Sequence, residues 1–321
     1  MRPLDGLLVV DLSWYLPGAF ASRELLRLGA RVVKIEPPEG DPLRRVAPAW
    51  DAALNAGKES VACDLKREPQ LGRALCSRAD VVLVSFRPGV AERLGVGPGE
   101  LPASVVWCSI TGFGPDSPDS ARAGHDLNYL GYAGALADTA PSLPPVQIAD
   151  LAAGALGAVT QILAALLERG RTGRGRRLEI SMTHRAHDLV AHRLDGEPLE
   201  RLLTGGLACY RIYETADGRF LTVGALEEKF FGRLCELIGR PELLELQYDP
   251  ASQERLGREL AATFRGKPLA AWLELSDGED VAVGPVSTLQ EAAEGFGSEP
   301  EGARSAALGE HTEAWRRRLE G

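Results

Sequence analysis

Two residues stand where they could move protons. His125 lies in a loop after the apolar run 105–110, and a neutral imidazole suits proton abstraction near neutral pH. The bland role for such a histidine is to satisfy backbone groups of its loop. Asp150 stands just ahead of a helix expected to start at Leu151. It can cap that helix by accepting its free N–H groups, and a helix N-terminus holds a carboxylate ionised unless burial opposes it. The small residues after it, Ala152, Ala153, Gly154 and Ala155, would let a ligand approach closely.

Other chemistries are less well served. His184 and His187 share one helical face but His192 falls on another, and ligand pairs on a helix prefer i, i+4 spacing, so a solvated or linking helix is the reading there and no metal site is expected. Glu36 at the end of a second strand invites a dinucleotide reading. The first loop, however, is Ser13-Trp14-Tyr15-Leu16-Pro17-Gly18, with two bulky aromatics where a phosphate loop needs glycines. A P-loop is also absent from the sequence.

The elements that must position these residues form an alternating pattern. Runs 7–10, 31–35, 60–63, 81–84, 105–110 and 178–181 read as strands, and 18–28 and 70–77 as helices between them. Strand–helix alternation predicts a doubly wound, Rossmann-like α/β sheet. A long helix is expected over 149–169, a helical linker over 184–205, and a hairpin over 210–223 with the turn Ala216-Asp217-Gly218. Helices around 228–238 and 254–275 complete a smaller α+β domain, and 291–306, rich in Glu, Gly and Ser, reads as a loop.

The bulk properties fit a folded chain of 321 residues, 45% hydrophobic and 25% charged. Five scattered cysteines without a C-x-x-C pair predict reduced thiols and a cytoplasmic location. The stretch 151–167, short and broken by Thr160 and Gln161, reads as a core helix, so no membrane partner is expected. Net charge is −9, which argues against nucleic acid. It is uneven, +1 over residues 1–100 and −10 over the rest, so an anionic ligand would dock on the first third.

Several blocks together resemble the class III CoA-transferase family, and within it the 2-methylacyl-CoA (alpha-methylacyl-CoA) racemases. They are GAFASRELLRLGARVVKIEPPEGDPLR (18–44), NAGKESVACDLK (55–66), ADVVLVSFRPGVAERLGVG (79–97), SITGFGP (109–115), AGHDLNYLGYAGAL (123–136), IADLAAGALGAVTQILAALLERGRTGRGR (148–176), YRIYETADGRFLTVGALEEKFF (210–231), DVAVGPV (280–286) and LGEHTEAWRRRL (308–319). Each is modest alone; their order along nearly the whole chain carries the resemblance.

The resemblance implies a large Rossmann-like CoA-binding domain over 1–190, to which 300–321 returns, and a small α+β domain over 206–290. It also implies an interlocked homodimer whose active site lies between the large domain of one chain and the small domain of the other. The substrate it implies is an acyl-CoA thioester, with no cofactor beyond coenzyme A itself. His125 matches the family's base, Glu227 the small-domain acid that partners it, and Asp150 either the second acid/base of a racemase or the nucleophile of a transferase. Asp126 and Tyr129 would line the pantetheine end or the enolate oxygen site. Gly124, Leu127 and Asn128 fall in the same block, and Cys63, Asp64 and Leu65 in the coenzyme A block. Lys58, Lys66 and Arg87 are the cations expected near its phosphates.

The chain departs from the family at Pro37, where many members place an arginine, and at Glu59 within a motif that is more often Lys-Arg-Ser. Both remove positive charge from the expected nucleotide site. The segments 182–205 and 290–308 are shorter than usual. Three functional readings stand: 2-methylacyl-CoA racemisation by proton removal and return beside the thioester, CoA transfer between carboxylic acids through an aspartyl intermediate, and acyl-CoA binding without turnover.

Overall fold

The computed structural model describes residues 1–196, 199, 201–298 and 302–320. The chain divides into a large unit, 1–192 with 301–321, and a small unit, 193–300.

In the large unit six strands form one sheet: β1 (Leu8–Asp11), β2 (Arg31–Glu36), β3 (Glu59–Ala62), β4 (Val81–Val84), β5 (Val106–Thr111) and β6 (Arg177–Ser181). They are ordered β3-β2-β1-β4-β5-β6 and every pairing is parallel. The uninterrupted apolar runs reflect burial on both faces. Val9, Val32, Val81 and Cys108 pack with Ala21 and Leu25 of the helix Tyr15–Arg27 and with Ala158 and Ile162 of the helix Gly157–Thr172. The alternate residues Val10, Val33, Val82 and Trp107 pack with Leu75 and Cys76 of the helix Pro69–Arg78. In this order the connections diverge between β1 and β4, which opens a crevice at their carboxyl ends where ligands bind in such sheets.

The chain returns to this sheet at its C-terminus. The His311 amide donates to Ser60 O at 2.9 Å and Thr312 Oγ1 accepts from the Ala62 amide at 3.0 Å, so the exposed edge of β3 is covered. Trp315, on the helix Thr312–Glu320, is buried and its Nε1 donates to Glu59 at 2.7 Å. Glu59 also accepts two bonds from Arg31, at 2.6 and 2.9 Å. This corrects its expected place in a nucleotide site: Glu59 ties the C-terminal helix to the sheet.

The small unit carries an antiparallel sheet, β7 (Tyr210–Glu214), β8 (Phe220–Gly224) and β9 (Val283–Pro285) in that order. Its core gathers Phe231, Leu234, Leu256, Leu260, Phe264 and Trp272. Three expectations need correction. The helix expected over 254–275 is two, Gln253–Phe264 and Leu269–Ser276, because Gly266 and Pro268 interrupt it. Within 291–306 a helix, Leu289–Gly295, begins on a capping box: the Glu291 amide donates to Thr288 Oγ1 at 3.2 Å and the Thr288 amide to Glu291 at 2.7 Å. Of the helix expected over 184–205, the described residues show the short Met182–Asp188 and then one turn at Ala191–Arg193, and positions 197, 198 and 200 lie outside the described residues. The helix at 149–169 runs from Ile148 to Thr172, and its first segment, Ile148–Leu156, is π-helical. That run is long and apolar enough to cross a membrane, yet Ala149, Ala153, Ala155, Ala158 and Ile162 are buried in the core.

Beneath the first loop lies a buried charge network. Asp11 accepts from the Ser13 amide at 2.8 Å and from Ser13 Oγ and Ser22 Oγ at 2.5 Å. Lys34 pairs with Asp41 at 3.0 Å and donates to Ser13 O at 2.8 Å. Burial alone would lower the Lys34 pKa, but the charges of Asp11, Asp41 and Glu36 reverse this and raise it. Removing one member of such a network strands its partners. Lys34→Met is expected to lower unfolding free energy by about 3 to 5 kcal/mol in denaturant titration, and Lys34→Met with Asp41→Asn by less. A loss below roughly 1 kcal/mol for the single variant would show that the buried charges do not hold one another.

Candidate active site

A cavity of about 1060 Å³ opens at the carboxyl ends of the parallel sheet. Its walls come from the ends of the strands and the segments that leave them: Leu12, Trp14 and Tyr15 after β1, Glu36 at the end of β2 with Pro37, Pro38 and Glu39 after it, Cys63–Lys66 after β3, Ser85–Pro88 after β4, and Gly112 and Phe113 after β5. Gly124, His125, Asn128, Tyr129 and Asp150 close the remaining side.

His125 is placed by its neighbours' backbone and ring contacts. It precedes the helix Asp126–Tyr132, and its amide donates to Asn128 Oδ1 at 3.0 Å. The Tyr129 ring packs edge-on to Phe113 with centroids 5.3 Å apart, and its hydroxyl donates to Gly124 O at 2.5 Å. A Cβ at Gly112 would lie 2.4 Å from that ring, and one at Gly124 2.8 Å, so both glycines are needed for Tyr129 to hold the histidine's loop. His125 itself is solvent-exposed on the cavity.

Asp126 and Asp150 have exchanged the parts that their sequence positions indicate. The Asp150 amide donates to Asp126 Oδ1 at 2.8 Å, and the Ala149 amide also favours the ionised Asp126 carboxylate. Asp126 therefore caps the helix from across the fold, and among the described residues no hydrogen bond reaches the Asp150 carboxylate. Burial, and then the Asp126 charge, push Asp150 up to about 7. Burial has overcome the helix N-terminus, and the group can take or give a proton near neutrality. Burial also raises the Asp126 pKa, against the opposing pull of the Asp150 and Ala149 amides. Burial, and then the Asp150 charge, push Tyr129 up to about 12, so it remains a neutral donor committed to Gly124.

Several expected assignments change. Asp126 does not line the cavity, its carboxylate instead receiving the Asp150 amide, and Tyr129 lines the cavity with its hydroxyl proton engaged by Gly124 O. Of the four small residues after Asp150, Ala152 is exposed but does not line the cavity, Ala153, Gly154 and Ala155 are buried, and a Cβ at Gly154 would meet Met182 at 2.9 Å. Their smallness lets the helix pack against its neighbours and does not open a path for a ligand. Lys58 is 4% exposed and donates to Ala19 O, Ser22 Oγ and Asn55 Oδ1 at 2.7 to 2.8 Å. It lies below the cavity and is not available to a phosphate; burial lowers its pKa to about 7.

Lys66 and Arg87 are exposed and line the cavity. Asp64 accepts from the Lys66 amide at 3.0 Å and shapes the turn after β3, with Cys63 and Leu65 beside it. The Cys63 thiol is pushed up to about 11 by burial, so it is a wall and not a nucleophile. Leu127 is exposed and does not line the cavity. Glu227 belongs to the small unit, exposed at the N-terminus of the helix Glu228–Leu237. His187 Nδ1 lies 3.0 Å from Ala133 O and His184 Nδ1 2.8 Å from Ser181 Oγ. Among the described residues no cluster of three metal-ligating side chains occurs. The wall residues Trp14, Tyr15, Ser85 and Gly112 were not anticipated as a site; the signal was their position directly after apolar strand runs.

The sequence matches the model of CoA-transferase family III over residues 4–302. It is 35% identical over 308 residues to the alpha-methylacyl-CoA racemase of Mus musculus, covering 90% of this chain and 79% of that one. It is 30% identical over 322 residues to the succinyl-CoA:glutarate CoA-transferase of Mus musculus, covering 91% and 73%. The crystal structure of the hypothetical protein Rv3272 from Mycobacterium tuberculosis superposes with a TM-score of 0.83 at 27% identity, covering 98% of this chain and 99% of that one. Sequence, sheet order and these likenesses agree that the chain belongs to CoA-transferase family III, a family of enzymes that includes both racemases and CoA-transferases.

Proposed function

We propose that the protein racemises 2-methylacyl-CoA thioesters by removing and returning the proton beside the thioester carbonyl. The observation that carries this reading is the Asp150 carboxyl, relieved of capping and raised to about 7, in the same cavity as the exposed His125. Racemisation needs one group to take the proton from one face of the enolate and another to supply one to the opposite face. Such a pair works both ways only if the two proton affinities are close. Transfer through an acyl-aspartyl anhydride needs instead an ionised carboxylate, which burial of Asp150 disfavours.

In this reading Lys66 and Arg87 meet the phosphates of coenzyme A, and no further cofactor takes part. The homodimer implied by the family resemblance, with Glu227 as the acid partner of His125, belongs to the same proposal.

Incubation of a single enantiomer of a 2-methylacyl-CoA in heavy water tests it. Expected are deuterium at the α-carbon and loss of optical purity, both persisting after exhaustive dialysis against chelator. Asp150→Asn should abolish inversion; His125→Ala should keep exchange on one face only, and Glu227→Gln should slow the other. Inactivation by hydroxylamine that requires acyl-CoA and labels Asp150 would establish the transferase reading instead.

A second expectation concerns stability. The folded-state pKa of Asp150, about 7, lies above the carboxylate's unfolded value, near 3.9. The folded state therefore holds more protons between these values, and wild-type stability falls as pH rises through that window. Asp150→Asn should be more stable than wild type by about 4 kcal/mol at pH 8, with little difference at pH 4. A gain that does not depend on pH would contradict the raised pKa.

A further inference from the structure

The loop after β1 holds a bulky residue in a conformation that favours glycine. Tyr15 has φ of +60°, which non-glycine residues seldom adopt and large ones least of all. The loop is held there from several directions. Ser13 bonds Asp11 through its amide, at 2.8 Å, and through its hydroxyl, at 2.5 Å, and receives Lys34 on its carbonyl at 2.8 Å. The Trp14 amide donates to Ser85 Oγ at 2.9 Å. A Cβ at Gly18 would stand 1.9 Å from Ser13 Oγ, so the helix behind the loop can approach only with glycine there.

Core packing does not explain this arrangement. Trp14 and Tyr15 are 40% and 44% exposed, and both line the cavity, as does Phe86. A glycine at position 15 would adopt the same backbone without steric cost. Strain kept at a cavity wall by surrounding bonds is a mark of function. Exposed aromatic faces in such a place are suited to stacking on a flat ring.

We propose that Trp14 and Tyr15 form the specificity-determining wall of the cavity and stack on a planar ring of the thioester ligand. This rests on the acyl-thioester reading above. Two parts of such a ligand could carry the ring, an aromatic acyl group or the adenine of coenzyme A. The loop stands in mid-sheet, with the ends of β2 and β3 on one side and of β4 and β5 on the other, so either part is within the cavity's span.

Three probes separate these cases in calorimetric binding assays: the pantetheine thioester of 2-phenylpropionic acid, that of 2-methylbutyric acid, and 2-methylbutyryl-CoA. Wild type is compared with Trp14→Ala, Tyr15→Ala and Tyr15→Gly. The glycine variant removes ring and strained conformation together, which keeps the test valid if the alanine variants fold poorly. The expected result is about a tenfold loss of affinity for at least one ring-bearing probe, with the ringless pantetheine ester changed by less than about twofold. Loss on the phenyl ester places the acyl group at the wall; loss on the CoA ester alone places adenine there. Equal losses on all three probes, or none on either ring-bearing one, would overturn the wall while leaving the thioester reading intact. Failure of wild type to bind any of the three would overturn both.

Discussion

The bond from the Asp150 amide to the Asp126 carboxylate, 2.8 Å long, decides what the rest of the site can be. A helix N-terminus must find acceptors for its free N–H groups. Here they come from a residue 24 positions earlier in the chain, so the aspartate at the helix start is left with a carboxyl that has nothing to cap. The same bond carries the Asp126 charge to the neighbourhood of Asp150, where it adds to burial in raising the second carboxyl. Tyr129, Gly112 and Gly124 hold the loop that leads into Asp126. The packing of one aromatic ring thus fixes His125, the cap and the reactive carboxyl together.

The parallel sheet brings these pieces to one end. Its strand order opens the crevice between β1 and β4, and the buried network of Asp11, Lys34, Asp41 and Lys58 forms the floor of the first loop. Charges sealed this deeply add little net stability when paired, but their loss is costly. Their effect here is positional: they hold Ser13, and through it the two aromatic residues that face the cavity.

The strands were legible because burial on both faces leaves runs such as Val81-Val82-Leu83-Val84 with no polar interruption. The cavity's place was legible in the alternation of strand and helix. Contacts between residues far apart in sequence were not. Asp150 next to a helix start reads as a cap, and only the fold shows Asp126 in that part. Lys58 in a coenzyme A block reads as a phosphate partner, and only burial shows its ammonium engaged by Ala19, Ser22 and Asn55. The helix at Leu289–Gly295 was legible in Thr288 and Glu291, a capping box, but the composition of the segment outweighed that local signal. Trp14 and Tyr15 registered only as an obstacle to a phosphate loop, since a positive φ leaves no trace in a residue other than glycine.

Proton exchange at this site turns on Asp150 carrying a proton close to neutral pH. Carbon-detected NMR of its labelled side-chain carboxyl, tracked through a pH titration in wild type and in Asp126→Asn, measures this directly. A midpoint of about 7 is expected in wild type and a lower one in the variant, where the neighbouring charge is gone and the amide oxygen still caps the helix. A wild-type midpoint in the ordinary carboxylate range, near 4, would contradict it.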